Sequence, residues 1–432
     1  MVRRDIQIYR AVAVIAVIIY HFNVHFLPLG YLGVDLFFVI SGYLITKQLL
    51  ENGKNKSIKL SVFYFKRFRR ILPSLISSSL FTLVVGYYNL SLEHFYELFR
   101  GLKYSIFFVG NVFFAQTIDY FSIDSNRNLI VNLWSLGVEE QFYIVFPLLT
   151  IVALKLKKIK IINIFVICLL ISLVSYTEFF YNKLDLITIF FNFENYIFYS
   201  PFTRSSQFLI GSIAATVNKK TFFFKNSIVS YLSIGILPLL FLFDLWSYNQ
   251  FLVSIIIFYL LLFETKISDN YINKLLFHIG NISYSLYLFH QPILAGIRNN
   301  NYYSTQISEK YINLENIYIL IGVFLIIYFV SIVNYLLIEQ TYRKVTTINL
   351  LNFKGVFIGF LIIVVPAIQS SMISSIYSEE FSLNEVLNIQ VKPGTNYLID
   401  EQNQMCIGKD SLDKACTFGT GEEDIYILGD ST

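Results

Sequence analysis

The chain has 432 residues, of which 55% are hydrophobic and only 14% are charged, and its net charge is +4. A soluble domain carries about 25% charged residues, so this composition excludes a protein whose whole surface faces water and favours one embedded in lipid. The small net charge gives no indication of a nucleic-acid-binding surface. Arg3 and Arg4 precede the first apolar run without a small-residue cleavage site after it, so we expect a retained helix, not a signal peptide.

Apolar runs long enough to cross a bilayer as helices, about 20 residues each, recur along the chain. We predict eleven spans, at roughly 8–27, 33–50, 71–88, 138–154, 161–177, 203–217, 228–244, 250–264, 281–297, 317–338 and 355–372. A further apolar stretch at 104–116 is shorter and contains Asn111. Whether this stretch crosses the membrane decides the topology.

Basic clusters near the ends of the predicted spans settle that question. They lie at 3–4, 54–70, 155–160, 219–225, 266–274 and 343–354. Lys and Arg are enriched in cytoplasmic loops, and all six clusters fall on one side only if 104–116 does not cross. We therefore interpret 104–116 as a re-entrant or interfacial segment. The N-terminus is then cytoplasmic, and the tail from about Ser374 lies outside.

Ionisable residues inside a span are costly and indicate function, and the first span carries Arg10 and His21. Eleven residues are three helical turns, so both side chains share one face. Such a face can hold an anionic cytosolic donor at Arg10 while His21 reaches the reacting atom. The alternative is that Arg10 snorkels and His21 is a packing residue. His25 follows one turn later, but no third ligand accompanies the two histidines, so we expect no metal site.

Asp35 stands at the start of the second span, in "GYLGVDLFFVISGYLI". If the hairpin between the first two spans is tight, its carboxylate faces His21 and orients the imidazole, the usual arrangement of a base and its partner. The alternative is a helix-capping Asp. Gly33 and Gly42 in the same block favour close helix packing.

Three later blocks carry further polar groups. "FKRFRRILP" at 65–73 brings four basic side chains to the cytoplasmic start of the third span, either as a membrane anchor or as a site for a phosphorylated cosubstrate. In "NLWSLGVEEQFY" at 132–143, Glu139 and Glu140 are adjacent, so at most one faces a shared site. The span from 281 contains "ISYSLYLFHQP", with Tyr284, Tyr287 and His290, and Glu339 stands four residues before Arg343.

Taken together and in order, these blocks resemble the acyltransferase-3 family of integral-membrane O-acyltransferases. The matching residues are Arg10-x10-His21, the 33–42 block around Asp35, Arg67-x-Arg69-Arg70-Ile71-Leu72-Pro73, the 134–143 block around Glu139, the 283–292 block from Ser283 to Pro292, and Glu339 with Arg343. The resemblance covers about residues 1–345. One departure is Gln207, which stands where the family often has an acidic residue.

The resemblance implies an all-α polytopic membrane protein with ten spans in the acyltransferase domain. It also implies a cytosolic acetyl-CoA donor, with no permanently bound cofactor, and transfer to a hydroxyl of a glycan or glycolipid at the outer face. By similarity, His21 is the acyl-handling residue, and Arg10 and Asp35 support it. We add Glu139 to this catalytic set. The donor-binding set is Arg67, Arg69, Arg70 and Tyr284.

One subgroup of the family adds an eleventh span and an extracytoplasmic α/β domain of the SGNH esterase type. The predicted domains are accordingly 1–345, the linker and eleventh helix at 346–373, and the tail at 374–432. The tail ends in "DIYILGDST", which resembles the first strand and nucleophile block of that domain, with Ser431 as the nucleophile. Because no Asp-x-x-His follows and Thr432 replaces the usual His, we expect Ser431 to be inert and the chain to be truncated. Cys406 and Cys416 are candidates for a disulfide in this oxidising compartment.

The acceptor stays open at this point. Lipopolysaccharide O-antigen or a similar surface polysaccharide is the first expectation and peptidoglycan the second, for an enzyme in the bacterial inner membrane. A transporter without chemistry is a competing hypothesis, although the sequence shows no pair of broken helices in two matched halves. A structural scaffold is a third hypothesis, but a scaffold has no need of Arg10, His21 and Asp35 inside the membrane.

Overall fold

A computed structural model of the chain describes residues 3–54, 60–155, 163, 165–169, 198–217, 241, 249–262, 270–307, 317–345 and 353–380. Most of the predicted spans 161–177 and 228–244 lies outside the described residues, as does the tail beyond 380 with its two cysteines and Ser431. The chain divides into two compact units, 1–365 and 366–432. The site described below belongs to the first unit.

The described residues are helical, as the composition predicts. The helices are α1 (Arg4–Phe22), α2 (Gly33–Lys54), α3 (Leu60–Asn89), α4 (Leu92–Ile106), α5 (Gly110–Thr117), α6 (Ile123–Arg127), α7 (Leu133–Lys155), α8 (Pro201–Thr216), α9 (Asn249–Leu262), α10 (Tyr271–Ile307), α11 (Ile317–Asn334), α12 (Gln340–Arg343) and α13 (Lys354–Glu380). A 3-10 turn at Gly30–Leu32 leads into α2, and a π-helix at Tyr335–Glu339 joins α11 to α12.

Several of these helices have the length and apolarity of membrane spans. Four in the described part meet both criteria, at Arg4–Phe22, Gly30–Glu51, Leu60–Asn89 and Tyr318–Arg343, and two shorter apolar helices lie at Leu252–Leu262 and Lys354–Ile368. Large apolar side chains on α11, such as Leu325 and Phe329, are more than half exposed, as lipid-facing residues are. The described part therefore has the build of a multi-pass membrane protein, while the total of eleven spans stays a prediction.

The stretch 104–116 does not form one continuous helix. α4 ends at Ile106, Phe108 adopts a left-handed backbone with φ 59°, and α5 begins at Gly110. A non-glycine residue in that region marks a sharp turn. α5 has 8 residues, which at about 1.5 Å each is far short of the roughly 30 Å hydrocarbon core. This break agrees with the prediction that 104–116 does not cross the membrane as a span.

Glycines allow the helices around the site to approach one another at backbone distance. A Cβ on Gly42 of α2 would overlap the Phe208 carbonyl of α8, and one on Gly211 of α8 would overlap the Val39 carbonyl of α2. In the same way, Gly280 of α10 lies against the Gln7 carbonyl of α1. Small residues at helix crossings are the usual means of close packing in membranes, so these contacts fix α2 on α8 and α1 on α10.

We expect Gly211→Ala to lower the thermal stability of the detergent-purified protein, because the added methyl has no space and overpacking costs about 1–3 kcal/mol. Gly322→Ala is the matched control, since Gly322 of α11 has open space where its Cβ would lie. Unfolding followed by circular dichroism should give a lower midpoint for Gly211→Ala and an unchanged or higher one for the control. Equal midpoints for the two variants would contradict this account of the α2–α8 contact.

Candidate active site

A basic pocket lies at one end of the bundle, where α3 begins. It is lined by Gln48, Lys66, Arg67, Arg69, Arg70 and Arg343. Five cations without a matching number of carboxylates form a surface suited to a polyanion, and the guanidinium forks suit phosphate in particular. The structure thus brings three predicted donor-binding residues into one pocket: Arg67, Arg69 and Arg70. It adds Arg343 from α12 to them.

Three of these cations are held in place by their neighbours. Arg343 forms an ion pair with Glu339 one helical turn earlier, and Arg69 donates a hydrogen bond to the Val345 carbonyl. The Arg67 guanidinium lies 4.6 Å from the centre of the Tyr143 ring, within cation–π range. Glu339 is also fixed on its other oxygen, which accepts a hydrogen bond of 2.8 Å from Ser285 of α10.

A second, inner cavity adjoins the basic pocket, and Arg67 and Arg70 line both. Its walls come from α1, α2, α3, α7 and α10. The polar side chains among its lining residues are Arg10, Ser41, Arg67, Arg70, Ser135, Glu139, Tyr143, Ser283, Tyr284 and Tyr287. Five predicted site residues therefore meet at this cavity: Arg10, Arg67, Arg70, Glu139 and Tyr284.

Glu139 and Arg10 place opposite charges on the wall of the inner cavity. One Glu139 carboxylate oxygen accepts hydrogen bonds from Ser41, at 2.5 Å, and from Tyr143. Arg10 is buried and donates to Gln7, at 3.3 Å. Of the two adjacent carboxylates, Glu139 lines the cavity and Glu140 does not, which agrees with the expectation that only one would face a shared site.

Two tyrosines of α10 line the cavity, and their hydroxyls are fixed by hydrogen bonds to backbone carbonyls. Tyr284 donates to the Ile71 carbonyl, at 3.0 Å, and Tyr287 donates to the Asn132 carbonyl, at 2.8 Å. The Tyr287 hydroxyl also lies 2.7 Å from the Ser135 hydroxyl. Both tyrosines of this helix line the same cavity as Arg10 of α1.

His21 lies near the other end of α1, buried with only 3% of its surface exposed. Its Nδ1 lies 2.9 Å from the Val17 carbonyl four residues earlier, and its Nε2 lies 3.3 Å from the Tyr120 hydroxyl. A carbonyl oxygen only accepts, so Nδ1 carries the proton and Nε2 of the neutral ring carries the lone pair. Nε2 is therefore the atom of His21 that can act as a base or a nucleophile.

The position of His21 depends on two residues that the sequence analysis did not single out. Arg298 of α10 donates to the carbonyls of His21 and Phe22, the last residues of α1, and also to Asn126 of α6, at 3.0 Å. These carbonyls have no partner within their own helix, so Arg298 caps α1. Arg298 is a charged residue in an apolar helix, so the sequence could have indicated a role for it. Tyr120 is one of 31 tyrosines, and nothing in the sequence distinguishes it from the others.

His290 of α10 is the nearest histidine to His21, with the two ring centres 5.1 Å apart. It is fully buried, and its Nδ1 lies 2.8 Å from the Tyr287 carbonyl. Tyr284 and Tyr287 of α10 line the inner cavity together with Arg10, and the Tyr287 ring centre lies 5.5 Å from that of His290. α10 therefore contributes both to the cavity and to the surroundings of His21.

The expectation that Asp35 orients His21 is wrong in its geometry. Asp35 is buried and forms a salt bridge of 3.0 Å with Arg204 of α8, which is also buried. Arg204 in turn donates to the Phe198 carbonyl, at 2.9 Å, and its guanidinium lies 4.6 Å from the Phe198 ring centre. Both nitrogens of His21 have other partners. The reason is that the glycine contacts hold α2 against α8, so Asp35 lies next to Arg204.

His25 does not share a helix face with His21, because α1 ends at Phe22 and His25 lies in the exposed turn that follows. Its backbone N–H bonds the Asn23 side chain, at 2.9 Å. No group of three His, Cys, Asp or Glu side chains is arranged to hold a metal ion among the residues that the structure describes.

We expect Asp35→Asn and Arg204→Gln each to destabilise the protein strongly, because removing one partner of a buried ion pair leaves the other charge uncompensated, at a cost of about 3–5 kcal/mol. The double variant should lose clearly less than the sum of the two. Thermal unfolding in detergent measures all three, with Asp124→Asn, an exposed carboxylate of α6, as the control. Additive losses would show that the two residues do not act as a pair.

Comparison with known proteins places the chain in a family. A family model described as an acyltransferase domain matches residues 3–338. The O-acetyltransferase OatA of Staphylococcus aureus (strain NCTC 8325 / PS 47) is 34% identical over 318 residues, which is 68% of this chain and 50% of that protein. A protein of S. aureus strain MRSA252 named "Putative O-acetyltransferase SAR0937" is 33% identical over 375 residues, 81% of this chain and 58% of that protein.

The chain spans about half the length of the curated relatives it matches. No solved structure matches it significantly. The family match covers most of the first compact unit and includes every residue that lines the inner cavity. On this ground the chain belongs to the acyltransferase-3 family.

Proposed function

We propose that the protein is a membrane O-acetyltransferase that moves an acetyl group from cytosolic acetyl-CoA to a hydroxyl of a cell-surface glycan. The observation that carries the proposal is that the basic pocket and the inner cavity lie next to each other and share Arg67 and Arg70. Acetyl-CoA has the matching form, because its phosphates are polyanionic and its thioester lies at the end of a long, thin, uncharged arm. A transporter for small solutes does not need a basic pocket beside an inner cavity.

The phosphates would bind Arg69, Arg70 and their basic neighbours, with the basic end of the bundle in the cytoplasm. Charge-assisted hydrogen bonds from guanidinium to phosphate are about twice as strong as neutral ones. The arm would then enter the inner cavity past Arg10 and Glu139, between Tyr284 and Tyr287. Tyr287 lines the inner cavity, its ring centre lies 5.5 Å from that of His290, and His290 in turn lies beside His21. In this proposal the thioester reaches His21 past these two rings.

His21 Nε2 is the reacting atom in this proposal. It takes the proton of the acceptor hydroxyl as that hydroxyl attacks the thioester, or it takes the acetyl group itself and passes it on. Tyr120, whose hydroxyl lies 3.3 Å from Nε2, is placed to donate to the oxygen of the acyl group. Asp35 acts through Arg204 and the packing of α8, not through the imidazole. No permanently bound cofactor is required for either route.

The acceptor lies at the opposite side of the membrane from the donor in this scheme. The first candidate is lipopolysaccharide O-antigen or a similar surface polysaccharide, in the inner membrane of a bacterium, and the second is peptidoglycan. NMR of the surface glycan from cells with and without the protein distinguishes them, because acetyl signals appear only on the true acceptor. The tail from 374, with its SGNH-like start at 424–431, lies on the acceptor side in the same scheme.

We expect His21→Ala to abolish release of free CoA from acetyl-CoA and a glycan acceptor, because the ring that supplies Nε2 is gone. General-base catalysis alone contributes about 10²- to 10⁴-fold. A thiol-reactive dye measures the CoA released by purified protein in detergent. His25→Ala, an exposed histidine just beyond the same helix, is the control and should keep wild-type rates. Wild-type rates in His21→Ala would remove this residue from the mechanism.

We expect Arg70→Gln to raise the KM for acetyl-CoA by roughly 10-fold or more, since a hydrogen bond to a charged group contributes about 1.5–3 kcal/mol. The KM for dephospho-acetyl-CoA, which lacks one phosphate group, should rise less if Arg70 contacts that group. Arg100→Gln, an exposed arginine on α4, should leave both constants unchanged. An unchanged KM in Arg70→Gln would separate the basic pocket from donor binding.

A further inference from the structure

Two buried histidines lie next to each other, His21 on α1 and His290 on α10. The ring centres of His21 and His290 are 5.1 Å apart, and the rings are inclined by 57°. His21 is 3% exposed and His290 is fully enclosed. The family resemblance gives His21 the role of the acyl-handling residue, whereas the proposed function uses no group of His290.

Both histidines are held in the same protonation pattern by their own helices. His21 Nδ1 lies 2.9 Å from the Val17 carbonyl, and His290 Nδ1 lies 2.8 Å from the Tyr287 carbonyl and 3.3 Å from the Leu286 carbonyl. These oxygens only accept, so in each neutral ring the proton is on Nδ1 and the lone pair is on Nε2. The site therefore contains two imidazole bases of the same kind, side by side.

The two Nε2 atoms differ in their partners. His21 Nε2 has the Tyr120 hydroxyl, whereas His290 Nε2 makes no hydrogen bond within the described part of the chain. A buried polar atom without a partner is costly and rare. Among the described side chains in ring contact with His21, which are Tyr20, Tyr120 and His290, only His290 has a basic nitrogen with a free lone pair.

A covalent relay through His21 requires a second base. Once the acetyl group is on His21 Nε2, that atom has no lone pair left, and Nδ1 carries its proton toward the Val17 carbonyl. The modified ring therefore cannot accept the proton of an acceptor hydroxyl. We propose that His290 Nε2 is the general base of the second half-reaction, and that acetyl transfer proceeds through acetyl-His21. This inference rests on the proposed function.

The two half-reactions balance as follows. In the first, the His21 Nε2 lone pair attacks the thioester carbonyl, the carbon–sulfur bond breaks, and CoA leaves as the thiolate beside an acetylimidazolium. In the second, the acceptor oxygen attacks the acetyl carbonyl while His290 Nε2 takes its proton, and the carbon–nitrogen bond breaks to restore neutral His21. The proton on His290 then returns to water and balances the thiolate. The sum is acetyl-CoA and an alcohol giving CoA and an ester.

We expect variants of His290 to carry out the first half-reaction normally and the second one slowly. His290→Asn keeps a side-chain N–H in position for the Tyr287 carbonyl and removes the base at Nε2. His290→Gln places a non-basic amide near the Nε2 position. His278→Gln is the matched control, because His278 is an exposed histidine three turns earlier on the same helix. Thermal unfolding in detergent shows which variants are folded, and having two substitutions guards against the loss of one.

The experiment measures both steps on the purified full chain. Without acceptor, acetyl-CoA labelled in the acetyl group should give a burst of about one CoA per protein and a label on His21, located by mass spectrometry of rapidly quenched samples, in wild type and in both His290 variants. With an N-acetylglucosamine tetramer or delipidated O-antigen polysaccharide as acceptor, wild type and His278→Gln should discharge the label. The His290 variants should discharge it about 10²- to 10⁴-fold more slowly, the usual range for a general base.

Several results would overturn the inference while leaving the proposed function intact. One is discharge within threefold of wild type in a folded His290 variant, and another is wild-type turnover without any acetylated His21, which indicates direct transfer. Equal loss of the burst and the discharge in folded variants would show a structural role for His290. If wild type itself releases no CoA with any acceptor, the proposed function fails and this inference fails with it.

Discussion

The packing of α10 against α1 is the contact on which the site depends. Near one end, Gly280 lies against the Gln7 carbonyl, at backbone distance, and near the other, Arg298 donates to the last carbonyls of α1. Between these two fixed points, Arg10 and His21 have no freedom to turn away from α10. This contact brings His21 and His290 together and sets Arg10 and the two tyrosines into the cavity that α2, α3 and α7 complete. Neither end of the contact is itself part of the chemistry.

Two of the described ion pairs lie at different depths. The Asp35–Arg204 bridge is fully enclosed and joins α2 to α8, where glycines have already brought the two backbones together. The Glu339–Arg343 pair lies at the edge, with Arg343 about one third exposed and facing the basic pocket. A deep pair resists change because each charge depends on the other. The outer pair leaves a cation available to an incoming anion.

Helix spacing and the family resemblance predicted residues that line the cavity, but the partners of Asp35 and His21 depend on how the helices pack and were missed. Arg10 and His21 were placed on one face by their spacing alone, because a helix has a fixed period. The partner of Asp35 was beyond reach, since Arg204 lies 169 positions away and the choice between it and His21 depends on how α2 packs on α8. Tyr120 is brought to His21 by the turn after α5, which has no sequence signature of its own.

The π-helix at Tyr335–Glu339 changes what the end of α11 faces. A π turn inserts one residue into a helix, so the side chains after it are out of phase with those before it. Before the turn, α11 presents apolar groups such as Leu325 and Phe329 outward, and Leu337 within it is still two thirds exposed, yet Glu339 is 1% exposed. One helix thereby passes from a lipid-facing surface to an inward-facing pair of charges without a loop. The inserted residue rotates the following side chains, so that those before it face lipid and Glu339 faces the protein interior.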